Sequence, residues 1–210
     1  MDNPSSAEIK RGYLAFQQHE KRDAMYKTAT FLVSHFWGRP YEMANSIGVL
    51  LLTWNNAFYR YGLFDYDKLE ECISNNLNLL DKYRKRDILD YSSTDDEAVK
   101  CLFQQFLVAL QMCEGKKKNA KRPVGVAKAL HLLAPAFFPI WDDKIAHAYG
   151  CYYADNPVDR YVLFLRKIKE VIGQLQPAAR ADSQKLGKTL VKLVDEYNYA
   201  KHTKHWDLEA

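Results

Sequence analysis

The chain lacks a long hydrophobic run. Its longest, "IGVLLLTW" at residues 47–54, falls well short of the roughly 18 to 20 apolar residues needed to cross a bilayer. The opening segment, "MDNPSSAEIKRGYLAF", lacks the apolar core of a secretion signal. Cysteine is sparse and scattered: Cys72, Cys101, Cys113 and Cys151 form no CxxC pair and no Cys/His spacing suited to zinc. They read as reduced, mostly buried small side chains, and the protein as cytoplasmic with no membrane partner. Glycine and proline number only nine and seven in 210 residues and fall mostly at segment edges. No useful period-two alternation is present, which argues against a sheet. Nor is one sign of charge in great excess, because 30 basic residues face 26 acidic ones, for a net +4. That balance does not by itself call for nucleic acid.

What is present is apolar spacing of three and four along nearly the whole chain, so the fold class is all-α. The pattern predicts one helix from Ser6 to about Phe36, ended by "WGRP", and a second from Tyr41 to Tyr61, apolar on most faces. A third starts near Asp65, its N-cap, and a fourth runs from about Thr94 to Cys113 with Gly115 as the stop. Shorter helices are expected at Val124–Leu133 and Asp142–Tyr149, then one from Pro157 through Ile172. A last amphipathic helix spans about Ala178 to Ala200, leaving "KHTKHWDLEA" frayed. No repeat or linker divides the chain, so residues 1–210 read as one domain.

Charge is unevenly placed. "GKKKNAKR", Gly115 to Arg122, holds five cations in eight residues and no acid. A solvated loop is the ordinary use of such a run. Directly after it comes "RPVGVAKALHLLAPAFFPIWDDKIAHAYG", in which Lys128 sits inside an apolar helix pattern and Asp142 follows a proline-bounded aromatic cluster. Snorkelling explains such a lysine and helix capping such an aspartate.

Two stretches, "PYEMANSIGVLLLTWNNAFYRYGLFDYDKLEECI" and "GVAKALHLLAPAFFPIWDDKI", resemble the helix-hairpin-helix DNA glycosylases, the base-excision superfamily that includes endonuclease III and the 8-oxoguanine glycosylases. In that superfamily an early helix carries an apolar run followed by a polar cluster that faces DNA, matched here by "LLLTWNN". A later hairpin and helix bear a catalytic lysine in bifunctional members, and a Phe-Pro-Val-Asp-x-His-Val-like segment supplies a catalytic aspartate. The segment "FPIWDDKI" matches with one inserted aromatic, placing Asp142 on the aspartate and Lys144 on the histidine-like position. Lys128 falls nearest the lysine, with Lys121 as second choice. Where the family hairpin is typically Leu-Pro-Gly-Val-Gly, this chain has "RPVGVAK" and the single glycine Gly125. The resemblance implies a two-lobed helical bundle around a basic cleft. It further implies a monomer that acts on double-stranded DNA carrying a damaged base; no metal or cofactor is expected, and the lack of a four-cysteine loop at the C-terminus predicts no iron–sulfur cluster.

The residues also make a coherent site by their own chemistry. N-glycosidic cleavage passes through an oxocarbenium-like state, which a carboxylate at a helix start can stabilise. For Lys128 to attack C1′ its pKa, ordinarily about 10.4, must fall by roughly two to three units. The apolar helix and the upstream basic run are the expected causes. An extruded base needs flat surfaces and edge readers, for which Trp54, Phe58 and Trp141, with Asn55 and Asn56, are the candidates; Phe137 and Phe138 are further aromatics of the same kind. Lys116, Lys117, Lys118, Lys121, Arg122 and Gly125 would contact phosphates. His131, three residues past Lys128, reads as a packed histidine. Two other functions fit the same sequence: a non-catalytic nucleic-acid binder on this scaffold, and a helical protein-interaction module whose aromatic motif is core.

Overall fold

The computed structural model describes residues 3–54, 62–175 and 177–206. Among these, ten α-helices and no strand are found; Phe64 and Met112 make one isolated bridge. No helix among the described residues is long and apolar enough to cross a membrane. The helices are α1 (Ser6–His19), α2 (Asp23–His35), α3 (Pro40–Trp54), α4 (Tyr66–Arg84) and α5 (Asp96–Ala109). After the basic loop come α6 (Pro123–Leu133), α7 (Asp143–Ala148), α8 (Pro157–Gln174), α9 (Pro177–Leu186) and α10 (Leu190–Asn198). A π-helical turn, Tyr199–Lys204, extends α10.

Several boundaries follow from local chemistry. Asp65 caps α4 by accepting from the Asp67 and Lys68 amides, and proline opens both α6 and α8, where no amide donor is needed. Other boundaries differ from the periodicity. The single helix expected over Ser6–Phe36 is two, because Glu20 ends α1 and its carboxylate accepts from the Arg22 amide at 3.0 Å, which turns the chain. The last helix is also two, split where Gly187 takes φ +60° and Thr189 caps α10 through the Lys192 amide. Helix α5 stops at Ala109 rather than Cys113, because Cys113 donates its amide to Leu63 and Met112 pairs with Phe64. The expected fraying does not extend to residues 201–206. There Trp206 packs on His19 and Tyr199, and Thr203 donates to Asp142. Residues 55–61, where the second helix was expected to continue, lie outside the described set.

The most deeply placed helix is α10, all nine of whose residues are buried. Helix α1 lies directly against it, and Gly12 makes the approach possible: a Cβ there would sit 2.6 Å from the Tyr197 Cα. Helix α6 is buried from Gly125 onward. Between α6 and α7 the aromatic turn runs through the interior, where unpaired carbonyls would be costly. Four of them find donors: Thr189 Oγ1 reaches the Pro135 carbonyl, the Ile88 amide that of Ala136, His131 Nδ1 that of Phe138, and Tyr161 Oη that of Pro139, all at 2.8–2.9 Å. Three elements distant in sequence, together with α6 itself, thereby fix the turn that delivers Trp141 and Asp142.

Candidate functional site

Lys128 and Asp142 open into one cavity of about 440 Å³. That size lies within the roughly 300–1,000 Å³ usual for small-ligand sites. The first turns of α6 and the start of α7 form one side. Helix α1 supplies Phe16 and the α1–α2 break Glu20 and Arg22; the end of α3 supplies Trp54; α10 and the π-turn supply Asp195, Tyr199 and Thr203.

Lys128 is 8 % exposed and lines this space. Its Nζ makes one long hydrogen bond, 3.5 Å to the Trp54 carbonyl, and lies 5.7 Å from the centre of the Trp54 ring. Among the described residues no carboxylate comes within 4 Å of it. Burial pushes its pKa down to about 8; Asp142 and Asp195 oppose the fall, while Arg22 and Lys192 add to it. The size of the drop agrees with the requirement set out from the sequence, but the helping cations differ. They are Arg22 and Lys192, not the basic loop.

Asp142 is the N-cap of α7. Its Oδ1 accepts from the Ile145 amide at 2.8 Å, and Oδ2 accepts from Thr203 Oγ1 at 2.6 Å. The two bonds orient the carboxylate while leaving lone pairs on both oxygens. Capping is therefore compatible with a role in the cavity. Asp143 is exposed and also borders the space.

The aromatic candidates separate. Trp54 is half-buried at the cavity edge, its indole N–H donating to the Arg22 carbonyl at 2.7 Å and its ring stacked on Tyr26. Trp141 is 0 % exposed: its ring packs among Phe103, Tyr153, Tyr161 and Phe164, and its N–H reaches the Pro123 carbonyl. It forms the base of the wall, with no open face for stacking. Phe137 and Phe138 are core residues against Tyr83. Asn55, Asn56 and Phe58 lie outside the described residues. His131 is fully buried, donating from Nδ1 to Phe138 and accepting at Nε2 from the Tyr26 hydroxyl at 2.9 Å. Burial and the nearby Lys192 depress its pKa to about 3, so it stays neutral.

Lys116, Lys117 and Lys118 are exposed on the loop before α6; Lys121 is exposed and Arg122 half-buried, and both border the cavity. The basic run thus leads to the opening. Gly125 is buried in the first turn of α6, so the backbone that would meet a phosphate in a glycine hairpin is inside the fold. Among the described residues no group of three or more His, Cys, Asp or Glu is arranged to hold a metal.

Glu20, Arg22, Asp195, Tyr199 and Thr203 were not anticipated. Glu20 holds Arg22 through Nε and Nη2, at 2.8 and 2.6 Å, and accepts from Tyr199 Oη at 3.0 Å. Burial would raise the Glu20 pKa, but these bonds outweigh it and hold it near 2. One signal was available in the sequence: "LVKLVDEYN" places a lysine and two acids inside an apolar helix.

No protein-family model, curated protein or solved structure matches the chain.

Proposed function

We propose that the protein is a DNA base-excision glycosylase with abasic-site lyase activity, acting on a damaged base turned out of the duplex into this cavity. The observation that carries the reading is the pairing, in one hollow, of a buried amine shifted to about 8 with a carboxylate fixed by two hydrogen bonds. Added support comes from the aromatic edge at Trp54, the cationic approach through Lys116–Arg122, and the resemblance of "FPIWDDKI" to the superfamily's aspartate segment.

Lys128 Nζ, deprotonated, attacks C1′ as the N-glycosidic bond breaks; the bonding pair leaves with the base, which takes up a proton. Asp142 stabilises the positive charge that builds on the sugar. The attached nitrogen, now bearing two protons, gives up one as the C1′–O4′ bond breaks and O4′ takes up a proton, so the ring opens to an imine that keeps the other proton. Loss of a proton from C2′ expels the 3′-phosphate. A site that excludes water around the amine favours covalent attack over plain hydrolysis.

Incubation with oligonucleotides carrying oxidised, deaminated or alkylated bases, in the presence of borohydride, tests this. A covalent complex is expected for one damage class, and Lys128→Ala brings it to background. Normal trapping by that variant moves the nucleophile elsewhere, Lys121 first. DNA binding with a steep salt slope and no base release supports instead the inert binder; absence of binding at low salt supports the interaction module.

A further inference from the structure

The Trp54 indole has two lysines against it. Lys128 Nζ lies 5.7 Å from its centre and Lys192 Nζ 5.2 Å. Lys192 is 1 % exposed, enclosed by the Phe16 and Tyr26 rings at 4.7 and 4.6 Å. Its ammonium pairs with Asp195 Oδ2 at 2.7 Å and with Glu196 Oε1 at 3.6 Å. Glu196 is held in turn by Lys188 at 2.5 Å. Asp195 is the member of this cluster that borders the cavity, as Lys128 does. It is 6 % exposed, and the one side-chain hydrogen bond it makes among the described residues is accepted from Lys192.

We infer that Lys192 is a positioning residue for the Lys128 amine: by binding Asp195 from beneath the cavity wall, it keeps that carboxylate from forming an ion pair with Lys128 and so leaves the amine free to react. The significance for base excision rests on the proposed function; the arrangement of charges does not. Without Lys192, Asp195 is a buried acid that lacks a cation, and Lys128 is an amine that borders the same cavity. A close ion pair would hold Lys128 protonated. The other charged groups that act on Lys128 are Asp142, from the start of α7, and Arg22, from the α1–α2 break. On Lys192 act Asp195, Glu196 and the Tyr26 hydroxyl. Burial would depress the Lys192 pKa, but its two carboxylates carry it above the ordinary lysine value, so it is cationic throughout the range in which Lys128 titrates.

The test uses the full chain without DNA. Acetaldehyde and cyanoborohydride alkylate free amines, and mass spectrometry gives the pH midpoint of modification at Lys128 alone. Lys192→Met is expected to raise that midpoint by about one unit or more. Lys192→Met with Asp195→Asn returns it to the wild-type value or below, and Lys192→Arg leaves it unchanged. A purely structural lysine would make the first two variants behave alike. An unchanged midpoint in folded Lys192→Met overturns the inference. Should that variant not fold, Asp195→Asn alone decides: it removes the carboxylate that faces the cavity, leaves Lys192 paired with Glu196, and lowers the midpoint, and a null or upward shift overturns the inference. Because no DNA is present, a midpoint that moves as expected alongside failed borohydride trapping rejects the base-excision reading while leaving this one standing.

Discussion

Two concavities of similar size open on different parts of the molecule, one of about 440 Å³ beside Lys128 and one of about 510 Å³ between α4 and α5. The second is bordered by Lys68, Glu71, Asn75, Gln104 and Val108, all exposed, and its two charged groups are solvated; Lys68 makes only a loose 3.6 Å contact with Asp65. The first encloses Lys128, Asp195 and Glu20, none more than 8 % exposed. Volume does not separate a site from a furrow. What separates them is charge held away from water, because only there do neighbours move a pKa far enough to change reactivity.

The contrast can be broken in three further ways. The largest effect is expected from Asp142→Asn. Asparagine caps a helix about as well as aspartate, so thermal stability should change little, while under the proposed function base release should fall by about 10² to 10³. A loss of stability with activity intact would make Asp142 a cap and nothing more. Second comes Lys128→Met, read as stability against pH. Because burial depresses the Lys128 pKa from 10.5 to about 8, the folded state binds its proton less tightly than the unfolded chain. The resulting penalty is present in full below pH 8 and disappears as pH rises through 10.5; a shift of this size corresponds to about 3 kcal/mol. Urea denaturation should therefore show the methionine variant gaining most over wild type at pH 7 and losing much of that gain by pH 10. A gain independent of pH would mean that Lys128 is not strained by burial. The smallest effect belongs to the groove: Gln104→Ala with Asn75→Ala should leave trapping unchanged and shift stability by no more than about 0.5 kcal/mol. A marked loss of trapping there would remove the distinction between the two concavities.

Much of the helical layout was legible in the chain, since caps such as Asp65 and proline starts such as Pro123 and Pro157 are local signals. The α1–α2 break was not, although its sequence, "HEKRD", is strongly charged. Nothing in the spacing says that Glu20 will turn back to the Arg22 amide instead of staying on a helical face. The candidate site was legible in part for the same reason. Lys128 and Asp142 lie on neighbouring segments with a distinctive pattern, whereas the residues that tune them do not. Trp141 shows the reverse failure: an aromatic beside the proposed carboxylate suggested a stacking surface, and packing by Phe103, Tyr161 and Phe164 placed it in the core.

By itself the sequence determined the all-helical class, most helix starts, and the entry of one lysine into an apolar helix shortly before a capped aspartate. These depend on interactions within a few residues, which the one-dimensional pattern records. The Lys192–Asp195 pair, three residues apart on α10, is local in the same way; tertiary structure alone decided that Arg22, Trp54, Asp195 and Tyr199 would surround Lys128. Such choices depend on which buried charges come within a few ångströms when α1, α3, α6 and α10 pack together, and a separation of up to 177 residues, as between Arg22 and Tyr199, leaves no local trace.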